Sequence, residues 1–386
     1  MLRVLTLATL FPNAAFPRLG TFVERQTIGL ARHPGVELRI VSPCGLPPPP
    51  FDRIGHYAAL RRLPDRELWQ GIPLLRPRFL HFPATGGRFD AAAMARSLEP
   101  VLGALRREFA FDVIDAEFFF PDGPAATQLG RTFDVPVSIK ARGSDIHYWG
   151  ASRATRSQLL AAGEAASGLL AVSDSLRHDM IALGLPAAKI ATHRTGVDLD
   201  LFVPRDRDDA KERLGVAGPL VSCVAALLER KGQSVLIAAL AHCPGTRLVL
   251  IGDGPMRGGL EAEAQRAGVR DRVIFAGSLD HAEVACWLAA SDCMALASSS
   301  EGLANAWVEA LACGTPVVTC DVGGAREVIC SAAAGRIVAR QPEAFATAIR
   351  DLLACPPARS EVRRAGEPFT WAANTAALYA HLSSLI

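Results

Sequence analysis

A chain of 386 residues, half of them apolar, 21% charged and 6% aromatic, has ample material for a buried core, and at roughly 150 residues per domain it holds two or three domains. Forty-one Lys and Arg against 39 Asp and Glu leave a net charge of +2, which excludes the global positive field that binds nucleic acid non-specifically. Ordinary glycine and proline content without repeats excludes fibrous and disordered classes.

The N-terminal run Val4 to Leu10 follows Arg3 but ends at Pro12-Asn13 with no small-residue cleavage site, so it reads as a first buried strand rather than a leader. Further short apolar runs follow at Leu38 to Val41, Val113 to Ile114, Val135 to Ile139 and Gly168 to Val172. A cleaner series occupies the second half: Leu220 to Leu227, Arg247 to Ile251, Arg272 to Phe275, Cys293 to Ala297, Pro316 to Thr319 and Arg336 to Val338. Helical patterns lie between them, at Val235 to His242, Met256 to Ala267, Ala282 to Ala290 and Ala304 to Cys313. Regular alternation of this kind predicts an α/β protein with two doubly wound parallel sheets in series. The charged stretch Val203 to Asp209 marks the junction. Pro43 to Pro83, rich in proline and poor in periodicity, reads as a loop-rich excursion on the first domain.

Between Phe51 and Ala110 ten arginines face six carboxylates, a surplus of four positive charges that leaves the rest of the chain at −2. A local basic face there suits an anionic membrane surface or an acidic acceptor. No stretch approaches the roughly 18 to 20 apolar residues of a spanning helix. The nine cysteines, odd in number and without a C-x-x-C pair, read as free buried thiols of a reducing compartment.

The most informative segment is Ser298-Ser-Ser-Glu-Gly-Leu-Ala-Asn-Ala-Trp-Val-Glu-Ala-Leu-Ala-Cys-Gly-Thr-Pro-Val-Val318. It leaves a strand, turns, and opens a helix that closes at Gly314. In an open parallel sheet this puts Glu301 at the carboxyl end of a strand, where ligands bind. The helix N-terminus beside it offers backbone N–H groups to an anionic or hydroxyl-rich ligand.

Glu301 and Glu309, with the string Glu309-Ala-Leu-Ala-Cys-Gly-Thr-Pro-Val-Val318 and then Asp321-Val-Gly-Gly-Ala-Arg-Glu-Val-Ile329, resemble the E-x7-E region of retaining glycosyltransferases of family 4 (glycosyl transferases group 1). Glu229-Arg-Lys-Gly-Gln233 resembles that family's K-G turn, and Val249-Leu-Ile-Gly-Asp-Gly-Pro-Met256 its G-x-G-P turn. Val172-Ser173, Thr195-Gly-Val-Asp-Leu-Asp-Leu-Phe202 and Phe369-Thr-Trp371 look like its V-S, N-G-V-D and tail segments. In the first domain Arg18-Leu-Gly-Thr-Phe-Val23 is similar to the loop after the first strand, and Ala141-Arg-Gly-Ser-Asp-Ile146 to the H-G-x-D segment.

The resemblance implies a GT-B fold, two Rossmann-like domains facing across a cleft: residues 1–203 on the acceptor side, 204–368 on the donor side, and a helix over 369–386 crossing back. It implies a hexosyltransferase using a UDP- or GDP-sugar as co-substrate and a glycan or lipid-linked acceptor, with retained configuration, no metal, and no nucleic-acid partner. Bacterial polysaccharide biosynthesis is the family-level expectation, in the cytoplasm or on the inner face of its membrane.

On that reading Glu309 accepts from the ribose hydroxyls. Lys231, beside Arg230, and the helix N-terminus meet the charge that develops on the departing diphosphate. Glu301 holds hydroxyls of the donor sugar, and Gly302, Leu303 and Ala304 present backbone N–H groups. Gly252 and Gly254 lie near the nucleotide, and Gly20 at the first-domain loop. Front-side transfer needs no carboxylate nucleophile, and none is assigned.

Three positions depart from the family's pattern: Ala226 stands where an arginine is usual, Thr195 where an asparagine is, and Arg142 where a histidine is. Arginine cannot serve as a general base at neutral pH, so Arg142 reads as a ligand for phosphate or acceptor. Two other readings of the same architecture are a sugar-nucleotide 2-epimerase and a non-catalytic sugar-nucleotide-binding module. The D-x-D at Asp198-Leu-Asp200 reads as a loop or cap element.

Overall fold

The computed structural model describes every residue from Met1 to Ile386. The chain divides into two compact units, Met1–Arg194 with Trp371–Ile386, and Thr195–Thr370. The division thus falls at Arg194 and Thr370, and residues 195–203 lie in the second unit. Three features tie them there: Val197 bridges Thr370, the Phe202 ring is fully buried, and Arg363 donates to the carbonyls of Phe202 and Leu199 at 2.9 and 3.0 Å.

The first unit contains β1 (Leu2–Leu7), β2 (Val36–Val41), β3 (Cys44–Leu46), β4 (Arg66–Trp69), β5 (Ile72–Leu75), β6 (Arg78–Leu80), β7 (Val113–Ala116), β8 (Val137–Ala141), β9 (Gly168–Ala171) and β10 (Ile190–Thr192). Eight of them form one sheet in the order β10-β9-β8-β7-β1-β2-β5-β4. All pairs are parallel except the edge hairpin β4–β5. Buried on both faces, strands such as β7 and β8 read as continuous rather than alternating runs.

The excursion from Pro43 to Pro83 is more ordered than its composition suggests. β4 and β5 extend the main sheet through Gln70 and Gly71, whose φ values of +49° and +85° make the left-handed two-residue connection that a tight hairpin demands. β3 and β6 pair as a separate two-stranded parallel sheet. The runs were too short for periodicity to reveal them.

The helix Trp371–Ser383 completes this unit's core. Leu378 and Leu382 are fully buried with Val23, Leu30 and Leu2, Tyr379 stacks on His33 at 4.0 Å between ring centres, and Gly29 leaves room for Thr375, whose Oγ1 would lie 2.6 Å from any added Cβ.

The second unit contains β11 (Leu220–Val224), β12 (Arg247–Ile251), β13 (Val273–Gly277), β14 (Cys293–Leu296), β15 (Val317–Thr319) and β16 (Gly335–Ile337). They form one fully parallel sheet in the order β13-β12-β11-β14-β15-β16. The order reverses between β11 and β14, as it does between β1 and β7 in the first unit. Such switch points leave a crevice outside the strands' carboxyl ends. Of the nine cysteines six are buried, Cys286 is half-buried, and Cys330 and Cys355 are exposed, a departure from uniformly buried thiols. No helix is long and apolar enough to cross a membrane.

Leu378→Ala removes a fully buried side chain from the tail helix and should cost the first unit about 2–5 kcal/mol, read by urea denaturation. A loss within about 0.5 kcal/mol, the scale of a surface substitution, would mean that this helix is not part of the core.

Candidate functional site

In the second unit the turns after β11 and β14 are joined at the switch point. The chain leaving β11 makes a single helical turn at Glu229–Lys231 and reverses at Gly232, with φ +69°. A Cβ there would stand 2.1 Å from the Ala297 carbonyl oxygen, so only glycine lets this turn lie against the end of β14. The Ser299 N–H donates to the Arg230 carbonyl at 2.8 Å, and Arg340 clamps both turns, donating to Ala297 O at 2.8 Å and to Glu229 O at 3.3 Å.

These contacts bring Lys231 Nζ to 2.5 Å from Glu301 Oε1. The same oxygen accepts the Ser298 hydroxyl at 2.6 Å. The two charged side chains are only 14% and 9% exposed, so the pair is charge-assisted and largely out of water. The sequence assigned the lysine to a diphosphate and the glutamate to sugar hydroxyls; in the structure they hold each other. From the other side Gly324 N donates to Gly302 O at 2.8 Å, and Gly323 fits so closely against the Glu301 and Gly302 carbonyls that a Cβ would lie within 2.5 Å of both oxygens.

The loop then enters the helix Asn305–Ala312, with Ala304 as an N-cap that has no side-chain cap. Its first N–H groups lack intrahelical partners, and Leu303 and Ala304 are buried, so this stretch can reach a ligand only through its backbone. Trp307, fully buried, anchors the helix. Glu309 on the same helix is 15% exposed, with its Oε1 4.0 Å from His281 Nε2.

Gly252 and Gly254 have a structural reason of their own. Cβ atoms there would lie 2.1 Å from Ala225 O and 2.4 Å from Leu227 O, so both glycines let the turn after β12 pack on the turn after β11. Arg230 is exposed and contributes its carbonyl, and Ala226 brings only a methyl group, its carbonyl accepting Gln233 Nε2 at 3.0 Å. Asp198 Oδ1 caps its own turn, accepting the N–H groups of Asp200 and Leu201 at 3.1 Å.

The first unit carries a second constellation at its own switch point. Glu117, immediately after β7, is fully buried and accepts from Gln26 Nε2 and Arg142 Nη2, and Lys140 Nζ on β8 lies 3.5 Å away. Arg142 also donates Nε to the Glu117 carbonyl at 3.1 Å, and its guanidinium sits 4.9 Å above the Phe22 ring. Where the sequence points to Arg142 as a phosphate or acceptor ligand, the structure commits these donors to Glu117 and leaves 9% of the side chain exposed. Glu117 gave no signal in the sequence, because a carboxylate just past an apolar strand reads as a surface residue.

Burial and the neighbouring Glu117 push the Asp115 carboxyl well above its ordinary range. Burial would also raise Glu117, but Lys140 and Arg142 hold it low. Burial lowers Lys140 to about 8, against the attraction of Glu117. Asp145, the acid of Arg142-Gly-Ser-Asp, accepts N–H groups from Phe119, Arg142 and Gly143 at 2.8 to 2.9 Å and fixes the loop after β8. Gly20, with φ +66°, opens the helix Thr21–Ala31, and a Cβ there would meet Leu10 O at 2.3 Å.

Comparison with known proteins agrees over both units. The family model described as Glycosyltransferase Family 4 matches residues 19–201, and the model described as Glycosyl transferases group 1 matches residues 204–368. A D-inositol 3-phosphate glycosyltransferase of Xylanimonas cellulosilytica is 31% identical over 310 residues, 71% of this chain and 72% of that one. The putative teichuronic acid biosynthesis glycosyltransferase TuaC of Bacillus subtilis is 28% identical over 349 residues, 84% and 82% of the two chains. Among solved structures, Anabaena Alr3699/HepE in complex with UDP and glucose aligns over 100% of both chains with a TM-score of 0.78 at 21% identity.

Asp122, whose carboxylate accepts the backbone N–H and hydroxyl of Thr9 at 2.9 and 2.7 Å, is raised by burial from the ordinary 3.8 to about 7. Between those values the unfolded chain loses a proton that the fold keeps, so this group makes the fold less stable as pH rises from about 4 to about 7 and adds no slope above. Asp122→Asn keeps an oxygen for Thr9 and cannot ionise. Its stability relative to the natural chain, read by urea denaturation, should therefore climb across that window and level off above it; a pH-independent offset would refute the assignment.

Proposed function

This chain belongs to glycosyltransferase family 4 and has the GT-B fold, and we propose that it moves a hexose from a UDP- or GDP-sugar to a hydroxyl of a glycan or lipid-linked acceptor, with retention of configuration. The observation that carries this reading is the Lys231–Glu301 pair at the switch point of the second unit. An arriving diphosphate competes with Glu301 for the lysine, and the carboxylate so released accepts from the hydroxyls of the donor sugar. The first N–H groups of Asn305–Ala312 face the same phosphates, while Glu309 takes the ribose diol.

Ala226 leaves the lysine without the customary arginine. Arg340 stands on the same two turns, and a guanidinium has five donors, of which two are engaged there. It supplies the second positive charge.

In the transfer step the bond from the anomeric carbon to the diphosphate oxygen breaks, and the acceptor oxygen bonds to that carbon on the same face. The acceptor's proton passes to the leaving phosphate. Lys231 and the helix N-terminus stabilise the diphosphate charge, so the step is assigned no metal and no carboxylate nucleophile. HepE was solved with UDP and glucose, which supports a nucleotide-sugar donor, and TuaC is named for teichuronic acid biosynthesis, which supports a polysaccharide product.

Lys231→Ala and Glu309→Ala should each lower kcat/KM for the donor by about 10- to 100-fold, the scale of a lost charge-assisted hydrogen bond of ~1.5–3 kcal/mol. Transfer from labelled UDP- and GDP-sugars to added glycan and lipid acceptors reads this, and proton NMR of the product reads the anomer. Unchanged kinetics in both variants would remove the donor-site assignment, and an inverted product would remove retention.

A further inference from the structure

Arg76 and Lys140 are the two cations that the fold buries completely. Lys140 belongs to the set around Glu117, whereas Arg76 takes no part in the transfer step. It follows β5 directly, and from there its guanidinium spans to β4, to the end of β2 and to the loop after β1. Nε donates to Glu67 Oε1 at 2.6 Å, Nη1 to the Ser42 hydroxyl at 3.2 Å, and Nη2 to the Pro12 carbonyl at 2.7 Å. The guanidinium carbon lies over the Trp69 ring, 5.6 Å from its centre. Trp69 in turn meets Phe11 edge-on at 5.8 Å and donates Nε1 to Glu24 of the helix Thr21–Ala31 at 2.7 Å. The edge hairpin β4–β5 therefore grips both the start of the loop after β1 and the helix into which that loop leads.

Packing alone does not call for a charge here. An apolar side chain would fill the same space without being stripped of hydration. What only arginine brings is several donors in fixed directions, and they are spent on holding separate strands of one sheet to one another. The Pro12 carbonyl is the contact of most consequence. Proline has no N–H, so this carbonyl is its one polar backbone group, and a charged donor satisfies it more strongly than a neutral one. The root of the loop, Phe11 to Asn13, is buried, whereas Ala14 and Phe16 to Leu19 are exposed. Asn13 shapes that tip, accepting the N–H groups of Ala15 and Phe16 on Oδ1 at 2.9 Å. Ala15 to Leu19 line a cavity of about 450 Å³, at the carboxyl end of β1 and beside the reversal of strand order, where open parallel sheets take their ligands.

We propose that Arg76 is a positioning residue for glycosyl transfer: by fixing the root of the loop after β1 it holds the tip, Ala14 to Leu19, in the shape that receives the acceptor. Fully buried, Arg76 touches no substrate and acts through the Pro12 carbonyl. The inference rests on the reading of the first unit as the acceptor side and names the residue on which that side's geometry depends.

Arg76→Lys keeps a charge beside Glu67, but a single nitrogen cannot reach Glu67, Ser42 and Pro12 together. Hydrogen exchange of the full chain, read by mass spectrometry over residues 11–20, should become about tenfold faster in this variant. The KM for the acceptor that the labelled-sugar transfer selects should rise about tenfold, while kcat and the donor KM stay within about twofold. Ser42→Ala removes one hydrogen bond and no charge, so it keeps the fold and should give a smaller rise in both quantities. Leu378→Ala loosens the first unit elsewhere and should change neither below its unfolding temperature, which separates the strut from a general loss of stability. Loop exchange that stays slow in Arg76→Lys would overturn the inference, as would a faster loop with an unchanged acceptor KM, or a rise in the donor KM alone. Exchange is read without any sugar, so a natural chain that transfers nothing would count against the proposed function, while the exchange result still decides for or against Arg76.

Discussion

A lysine and a glutamate at the ends of neighbouring parallel strands, nearly out of water and 2.5 Å apart, set the local order of the second unit. Such a pair loses hydration on both partners and is favourable only where geometry and extra hydrogen bonds compensate. Here the compensation is visible. Ser298 donates to the glutamate, Gly232 removes the side chain that would separate the two turns, and Arg340 ties the turns together through carbonyls. The pair lies where the sheet's strand order reverses, so the constraint that shapes the turns also places a cation and a carboxylate at the mouth of the crevice.

The first unit solves a related problem differently. Its switch point is lined by three ionisable groups buried far more deeply, Asp115, Glu117 and Lys140 within or just beyond the strands, with Arg142, as exposed as Glu301, in the turn that follows. Only a balance of partners makes that burial tolerable. Asp115 is pushed toward its neutral form while two cations hold Glu117 ionised. Arg142 is part of a set, since the buried Glu117 carboxylate pairs with it through one oxygen and faces Lys140 through the other. An arginine held in this way is a fixed positive wall rather than a mobile ligand.

Much of this was legible in the sequence because parallel strands buried on both faces write themselves as short apolar runs, and the strand-end motifs follow them at fixed spacing. The segment from Ser298 to Val318 placed Glu301 and Glu309 correctly on loop and helix. What sequence could not carry was pairing at long separation. Nothing in Glu229-Arg-Lys-Gly announces that Lys231 meets a carboxylate seventy positions away, and Arg340, far downstream, gave no signal of clamping the same turns. The strands of the Pro43–Pro83 excursion were hidden by their shortness, although Gln70-Gly71 is in hindsight a hairpin signal. The stretch Val203–Asp209 stood out in the sequence by charge alone, and its last residues enter the helix Arg207–Arg213, which the Asp206 side chain caps.

The central claim is that Lys231, released from Glu301, binds the diphosphate of the donor. Isothermal titration of the chain with a nucleoside diphosphate and with its monophosphate, before and after Lys231→Met, tests it most directly. The diphosphate should bind the natural chain at least tenfold more tightly than the monophosphate, and that ratio should collapse toward unity in the variant while monophosphate affinity holds. A ratio that survives the loss of Lys231 would contradict the account.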